Sequence, residues 1–173
     1  CVWKEFHKDR RRSINKTIEE NVEIKEGTQK ELEFIYKSLQ ERRRQQGMSA
    51  TCSFEYLQEV CNTFKDNIKI LVAKHNGEYV GGLINLCYRD KVAFWVGAPK
   101  ILGKMDANEL LLWESIRMAH KNGFRYYEVL GANHPKLYRF KTKYNGNLIT
   151  YLSCKKYSPE LIKILEVLYR TIR

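Results

Sequence analysis

The sequence predicts a mixed α/β domain in which an antiparallel meander is joined through one helix to a central strand running parallel to its neighbour, with helices on both faces. Three observations carry that expectation. Strand-like segments from Ile68 to Gly97 are interrupted only by tight-turn residues; a capped apolar helix from Asp106 to Gly123 feeds directly into the strand Tyr126–Gly131; and amphipathic helices flank the meander on either side in sequence. At 173 residues there is room for one domain with a substantial core. No repeat, low-complexity tract or linker divides the chain, so residues 1–173 read as a single module.

The elements follow in order. A mostly polar helix spans roughly Lys8 to Glu20, and Val22 to Lys25 alternates as a strand that Gly27 closes. Thr28 and Glu31 form a capping box opening a helix to about Gly47, whose apolar face is Leu32, Ile35, Tyr36 and Leu39. Ser53 is placed to cap a second helix with Phe54, Leu57, Cys61 and Phe64 inward. The meander consists of Ile68–Lys74, Tyr79–Tyr88 and Lys91–Gly97, with Asn76-Gly77 as a hairpin signal because both positions tolerate positive φ. Gly81-Gly82 inside the second strand marks a bulge or a close approach of ligand to backbone. Asp106 and Glu109 form a second capping box, and Gly123 is the C-terminal cap of that helix. After Tyr126–Gly131 come a turn or short helix over Pro135–Tyr144, a last strand over Asn147–Lys155, and a terminal helix capped at Ser158-Pro159 with Leu161, Leu165 and Leu168 on one side.

Composition bounds the function. Hydrophobic content of 43% with 12% aromatic residues excludes a disordered chain, and the apolar runs fall short of the roughly 20 residues that a membrane span needs. No secretory pattern opens the chain, and the missing initiator Met points to a processed or excised piece. Five cysteines, without a C-x-x-C pair or metal spacing, suit a reducing compartment, so the expected location is cytoplasmic. Cys61, Cys87 and Cys154 fall on apolar positions as small hydrophobes; Trp95, Trp113 and Tyr88 read as core. The formal charge of +11 attracts polyanions, whether RNA, a diphosphate-bearing substrate or an anionic membrane face. Arg10-Arg11-Arg12 and Arg42-Arg43-Arg44, taken alone, read as solvated helix surface.

The run Leu111-Leu-Trp-Glu-Ser-Ile-Arg-Met-Ala-His-Lys-Asn-Gly-Phe-Arg-Tyr-Tyr-Glu-Val-Leu-Gly131, with Leu137-Tyr-Arg-Phe-Lys141, resembles the Fem-like branch of the GNAT acyltransferases. The match covers roughly Ile70 to Tyr151, with a looser echo in Arg12–Lys16 and Glu41–Gly47. The resemblance implies the GNAT fold and transfer of an acyl or aminoacyl group to an amine, with aminoacyl-tRNA as donor in some members and an anionic or lipid-linked amine as acceptor. Such modules usually occur in tandem, which implies a second GNAT-like module, or a homo-oligomer, as partner for the apolar terminal helix. Two departures stand out. Ile101–Asn108 supplies only Gly103 where coenzyme A users of this fold have a glycine-rich phosphate loop, which argues against coenzyme A and for no bound cofactor. Tyr144-Asn145-Gly146 stands where the branch prefers Phe-Gly-Gly.

Within that frame Lys141, following a buried Phe140, is the first candidate: a fixed ammonium can pair with a substrate phosphate or stabilise the oxyanion of amine attack. Its bland alternative is a surface lysine beside Lys143, which is grouped with the substrate-binding residues. Arg139 has the fork to grip a diphosphate, or else faces solvent on a basic turn; Tyr138 stacks on a base or sugar, or simply packs. Glu128, if buried in its strand, is either a proton acceptor with a raised pKa or one half of a structural ion pair. Asn133 lies at the strand end, where polar groups often meet ligand, and His134 before Pro135 reads equally as part of a turn. No carboxylate pair, Ser-His constellation or metal set is visible. Two other functions stay open at this level: a coenzyme-A-dependent N-acetyltransferase, and a basic RNA-binding module without chemistry.

Overall fold

The computed structural model describes residues 2–48, 52–99, 107–132, 135–152, 154, 164 and 167. Short helices α1 (Val2–Glu5) and α2 (Lys8–Glu19) lead into β1 (Glu23–Gly27), then α3 (Leu32–Gln45) and α4 (Phe54–Thr63). The meander β2 (Ile68–His75), β3 (Glu78–Tyr88) and β4 (Lys91–Pro99) follows, then α5 (Ala107–Lys121), β5 (Tyr126–Glu128) and α6 (Pro135–Lys141). The five strands lie in the order β1-β2-β3-β4-β5. All neighbours are antiparallel except β4 and β5, which are parallel. The mixed sheet expected from the sequence is the sheet observed.

Strand alternation sorts the core onto two faces. Ile70, Val72 and Ile84 pack with Leu32 and Ile35 of α3 and Leu57 and Cys61 of α4. Leu71, Ala73 and Leu83 pack with Ile14 of α2 and Leu110, Leu111 and Leu112 of α5. Helices therefore cover both faces. Gly81 and Gly82 owe their place to this sandwich: a Cβ on Gly82 would lie 2.5 Å from Ile35 Cγ1, and one on Gly81 2.9 Å from Leu111 Cδ1. The space at this pair is taken by side chains of the two helices and not by a ligand, while the expected bulge is present: the register skips Val80, between Ala73↔Gly81 and Lys74↔Tyr79.

Local caps act as the sequence implies. The Thr28–Glu31 capping box is complete, with Thr28 N donating to Glu31 Oε2 at 2.7 Å, and Tyr79 OH of β3 donating to Glu31 Oε1 at 2.9 Å. Ser53 Oγ accepts from Tyr56 N at 3.2 Å at the start of α4. Asn76 and Gly77 take φ of 50° and 83°, the positive pair that a two-residue hairpin demands.

Several expectations are corrected. Phe64 is 53% exposed rather than inward, because α4 ends at Thr63 and Phe64, at the cap, leaves the helical face. Tyr88 is 65% exposed at the end of β3, where no helix covers it. The strand at Tyr126 stops at Glu128 instead of Gly131, because β4 diverges from it. Residues 147–152 and 154 form no strand: Leu148, Ile149, Tyr151 and Leu152 are exposed, and so is Cys154. Alternation alone cannot make a strand without a partner backbone to pair with. The loop with Gly103, Asp106 of the second capping box, Asn133, His134 and the Ser158-Pro159 cap lie outside the described residues, as does the terminal helix except Ile164 and Val167. No helix among the described residues is long and apolar enough to cross a membrane.

Candidate active site

The site is made by the parting of two parallel strands. β4 pairs with β5 only through Lys91↔Tyr126, Val92↔Tyr127 and Ala93↔Glu128. One residue further on, the β3–β4 register jumps from Asn85↔Phe94 to Ile84↔Val96, so Trp95 is an extra residue in β4. A bulge bends and twists the strand that carries it, and here it steers β4 away from β5. The stretch of β4 from Phe94 onward has no pairing on its β5 side among the described residues, so the two strands part there in a wedge.

The closed end of the wedge is well secured. Lys91 Nζ and Glu128 Oε1 pair at 2.9 Å across it, and the backbone N–H groups of Arg125 and Tyr126 donate to Asp90 O at 2.8 and 3.1 Å. Beneath the strands, Asn85 of β3, Ser115 of α5 and Tyr127 of β5 close a buried triangle of hydrogen bonds. Asn85 Nδ2 donates to Ser115 Oγ at 2.6 Å, Tyr127 OH donates to Asn85 Oδ1 at 3.0 Å, and the two hydroxyls lie 2.7 Å apart. Burial pushes the Tyr127 phenol far above its ordinary pKa, so it stays a neutral member of the network.

Lys141 stands at the open end. Beyond β5 the chain turns at Gly131 with φ +86°, and α6 brings Lys141 back beside Gly131 and Phe94. Its Nζ is so near that a Cβ built on Gly131 would meet it at 3.3 Å, and it lies 6.0 Å from the centroid of Phe94, the first residue of β4 past the paired segment. Partial burial lowers the pKa of this ammonium. Among the described residues no carboxylate lies within ion-pair range of it. A half-buried cation without a neutralising partner can receive an external anion or a developing negative charge.

α6 is held from behind. Arg10 of α2 pairs through Nη1 with Glu109 Oε1 in the first turn of α5, and its Cζ lies 4.3 Å from the Phe140 centroid and 5.6 Å from that of Tyr144. Tyr144 is buried, with Phe6 and Phe140 against it in edge-on contacts at 5.0 and 5.7 Å. Asn145 then takes φ 53°, a left-handed turn of the kind that Asn tolerates and Gly favours.

The other candidates are dispersed. Glu128 is the Lys91 partner at the closed end of the wedge. Arg139 and Tyr138 are exposed on α6. Lys143 faces Asp9 at 3.9 Å, and its carbonyl accepts from His7 N at 2.9 Å, which ties it to α2. Reading Arg10 as solvated surface is corrected: it is 9% exposed. The signal was present, because Arg10, Ile14 and Thr17 fall at helical spacing on one face and all three are buried. Two hollows, one lined by Gly27, Cys61 and Ile70 and the other by Phe6, Tyr127 and Tyr144, lie apart from Lys141. No metal-binding cluster of His, Cys, Asp and Glu occurs among the described residues. At the described start of α5, where a helix N-terminus could favour a pyrophosphate, the first turn presents a carboxylate, Glu109, already engaged by Arg10.

A five-stranded mixed sheet of this order, with β4 and β5 parallel and helices on both faces, is that of a GNAT-type domain. Residues 4–142 match the family model described as an acetyltransferase (GNAT) domain, and the chain belongs to that family. Among solved structures, FemX superimposes with a TM-score of 0.75 at 10% identity, over 83% of this chain and 55% of that one. The chain thus spans about half the length of FemX. An aminoglycoside acetyltransferase from an uncultured soil metagenomic sample, in complex with sisomicin, gives a TM-score of 0.57 at 15% identity, over 79% of this chain and 95% of that one. PaiA N-acetyltransferase from Thermoplasma acidophilum, in complex with coenzyme A, gives 0.56 at 18% identity, over 76% and 92%. At these identities the likeness is one of fold. No curated protein sequence matches the chain.

Proposed function

We propose that the protein transfers an acyl or aminoacyl group from an activated carrier to an amine, in the gap between β4 and β5, with Lys141 as the cation of the site. The observation that carries this reading is the Lys141 ammonium, half-buried beside Gly131 and Phe94 with no acidic partner among the described residues. In the reaction, a neutral amine attacks the carbonyl carbon of an ester, a C–N bond forms, and the carbonyl oxygen gains negative charge. Lys141 faces that charge or the carrier's phosphate, and the unpaired β4 backbone beyond Phe94 offers N–H donors along the same wall. Collapse breaks the carbonyl carbon–oxygen bond to the carrier, and the proton lost by the amine ends on the departing oxygen. The products are an amide and the carrier alcohol. Much of the catalysis is positioning.

The Fem-like sequence pattern and the charge of +11 favour an aminoacyl-tRNA as the carrier, with a second module or a second copy completing the site. On this reading the exposed Arg139 and Tyr138 of α6 contact the anionic substrate. Membership of the acetyltransferase domain family favours a second reading, acetyl transfer from coenzyme A. One experiment separates them: labelled aminoacyl-tRNA and labelled acetyl-CoA are each incubated with a panel of amines, using the wild-type protein and Lys141→Ala. Aminoacyl transfer reduced roughly 10²–10³-fold in the variant is expected, the scale of losing one oxyanion donor. Label moving only from acetyl-CoA supports the second reading. Binding of charged tRNA without transfer from either donor would leave an RNA-binding module.

A further inference from the structure

α2 lies behind the gap, yet one of its side chains reaches the element that carries Lys141. Three elements meet at the Arg10 guanidinium: α2 itself, the first turn of α5 through Glu109, and the end of α6 through the face of Phe140. Arg10 and Glu109 are 9% and 5% exposed, so their pairing is shielded from water. Phe140 immediately precedes Lys141. A contact that fixes the Phe140 ring therefore fixes how the last turn of α6 is rotated, and with it the direction in which the next side chain leaves the helix. Two more ties hold the backbone just past Lys141: His7 N donates to Lys143 O at 2.9 Å, and Lys143 Nζ faces Asp9 Oδ2 at 3.9 Å.

We propose that Arg10 is a positioning residue for Lys141: anchored on Glu109 and stacked on Phe140, it sets the rotation of α6 that holds the Lys141 ammonium at the mouth of the gap. The inference rests on the reading of Lys141 as the cation of the site. Arginine suits this role because a planar guanidinium lies on a ring face and pairs within its own plane at the same time, whereas an ammonium is a point charge. A buried ion pair is weak evidence for stability, so specifying one arrangement of α2, α5 and α6 is the stronger account of this one.

The test follows the pH midpoint at which an amine-directed acylating reagent labels Lys141, read by peptide mass spectrometry on the folded protein. The groups described against Nζ are uncharged: Phe94 from β4, and Gly131, whose added Cβ would also meet Leu137 of α6. The midpoint therefore reports how dry the amine is kept. Arg10→Lys keeps the charge but loses the planar stack, and Phe140→Leu removes the ring while leaving the Arg10–Glu109 pair. In both variants the Lys141 midpoint is expected to rise toward that of the exposed lysines, whose own midpoints stay put. Transfer should fall roughly ten- to a hundred-fold in kcat with KM little changed, the signature of a misplaced group. A folded Arg10→Lys protein with unaltered midpoint and kcat would overturn the inference. If that variant does not fold, Phe140→Leu decides by the same measure. A wild-type protein that transfers nothing sinks the function proposed above and leaves the labelling midpoint still readable.

Discussion

Gly131 meets two demands at once. Its φ of +86° is strained for a residue with a side chain, and the space a methyl group would take lies 3.3 Å from the Lys141 ammonium. Gly131→Ala should therefore cost about 1–2 kcal/mol in chemical denaturation, the usual penalty for an L-residue in that region, and should lower transfer by displacing Lys141. Lys141 itself carries a pH signature. Burial lowers its folded pKa below the ordinary 10.5, so the unfolded chain holds the proton more tightly. Below the folded pKa, burial of the charge weakens the fold; between the folded and unfolded values stability rises with pH. Lys141→Met should thus raise Tm at pH 7 while reducing transfer, and the stability gain over wild type should shrink as pH approaches the ordinary lysine range. An unchanged Tm difference across that range would contradict the burial assigned to this amine. The Phe-Lys pattern was visible in the chain, but that no acid among the described residues neighbours Lys141 depends on which groups folding brings near.

Among the elements, β3 is the one on which both layers close. Gly82 receives Ile35 of α3 so tightly that a Cβ would sit 2.5 Å from Ile35 Cγ1. Gly82→Ala forces α3 outward or Ile35 out of its rotamer, at about 1–3 kcal/mol of stability lost, measurable by urea unfolding. The glycine pair was legible in the sequence as a bulge or a ligand approach; that a helix would fill the space could not be read, because Ile35 lies more than forty residues from Gly82 in the chain. Capping residues were the most legible features, since Thr28, Glu31, Ser53 and Tyr56 act within a few residues of one another. The strand expected after Asn147 failed for the opposite reason: alternation is local, whereas pairing needs an edge supplied from elsewhere. Arg10 misled in the same way, its basic neighbours Arg11 and Arg12 masking a spacing that it shares with Ile14 and Thr17.

Across the whole molecule, β2, β3 and β4 are linked by tight turns, while β5 joins the sheet only after α5 and through three register pairs. Three register pairs hold β5 where five hold the other edge strand, β1, so β5 should be the least protected strand. In hydrogen–deuterium exchange, the amides of Tyr126–Glu128 are expected to exchange well before those of Leu83–Leu86; equal protection would contradict this. The general α/β layout was legible because each strand and helix announces itself locally, whereas the wedge arises from a bulge at Trp95 that no periodicity marks. That wedge has a practical corollary for handling the protein. If the seam between β4 and β5 yields first, mild urea or warming will silence turnover while circular dichroism still reports a full complement of helix and sheet, and an inactive preparation can pass every routine check of integrity.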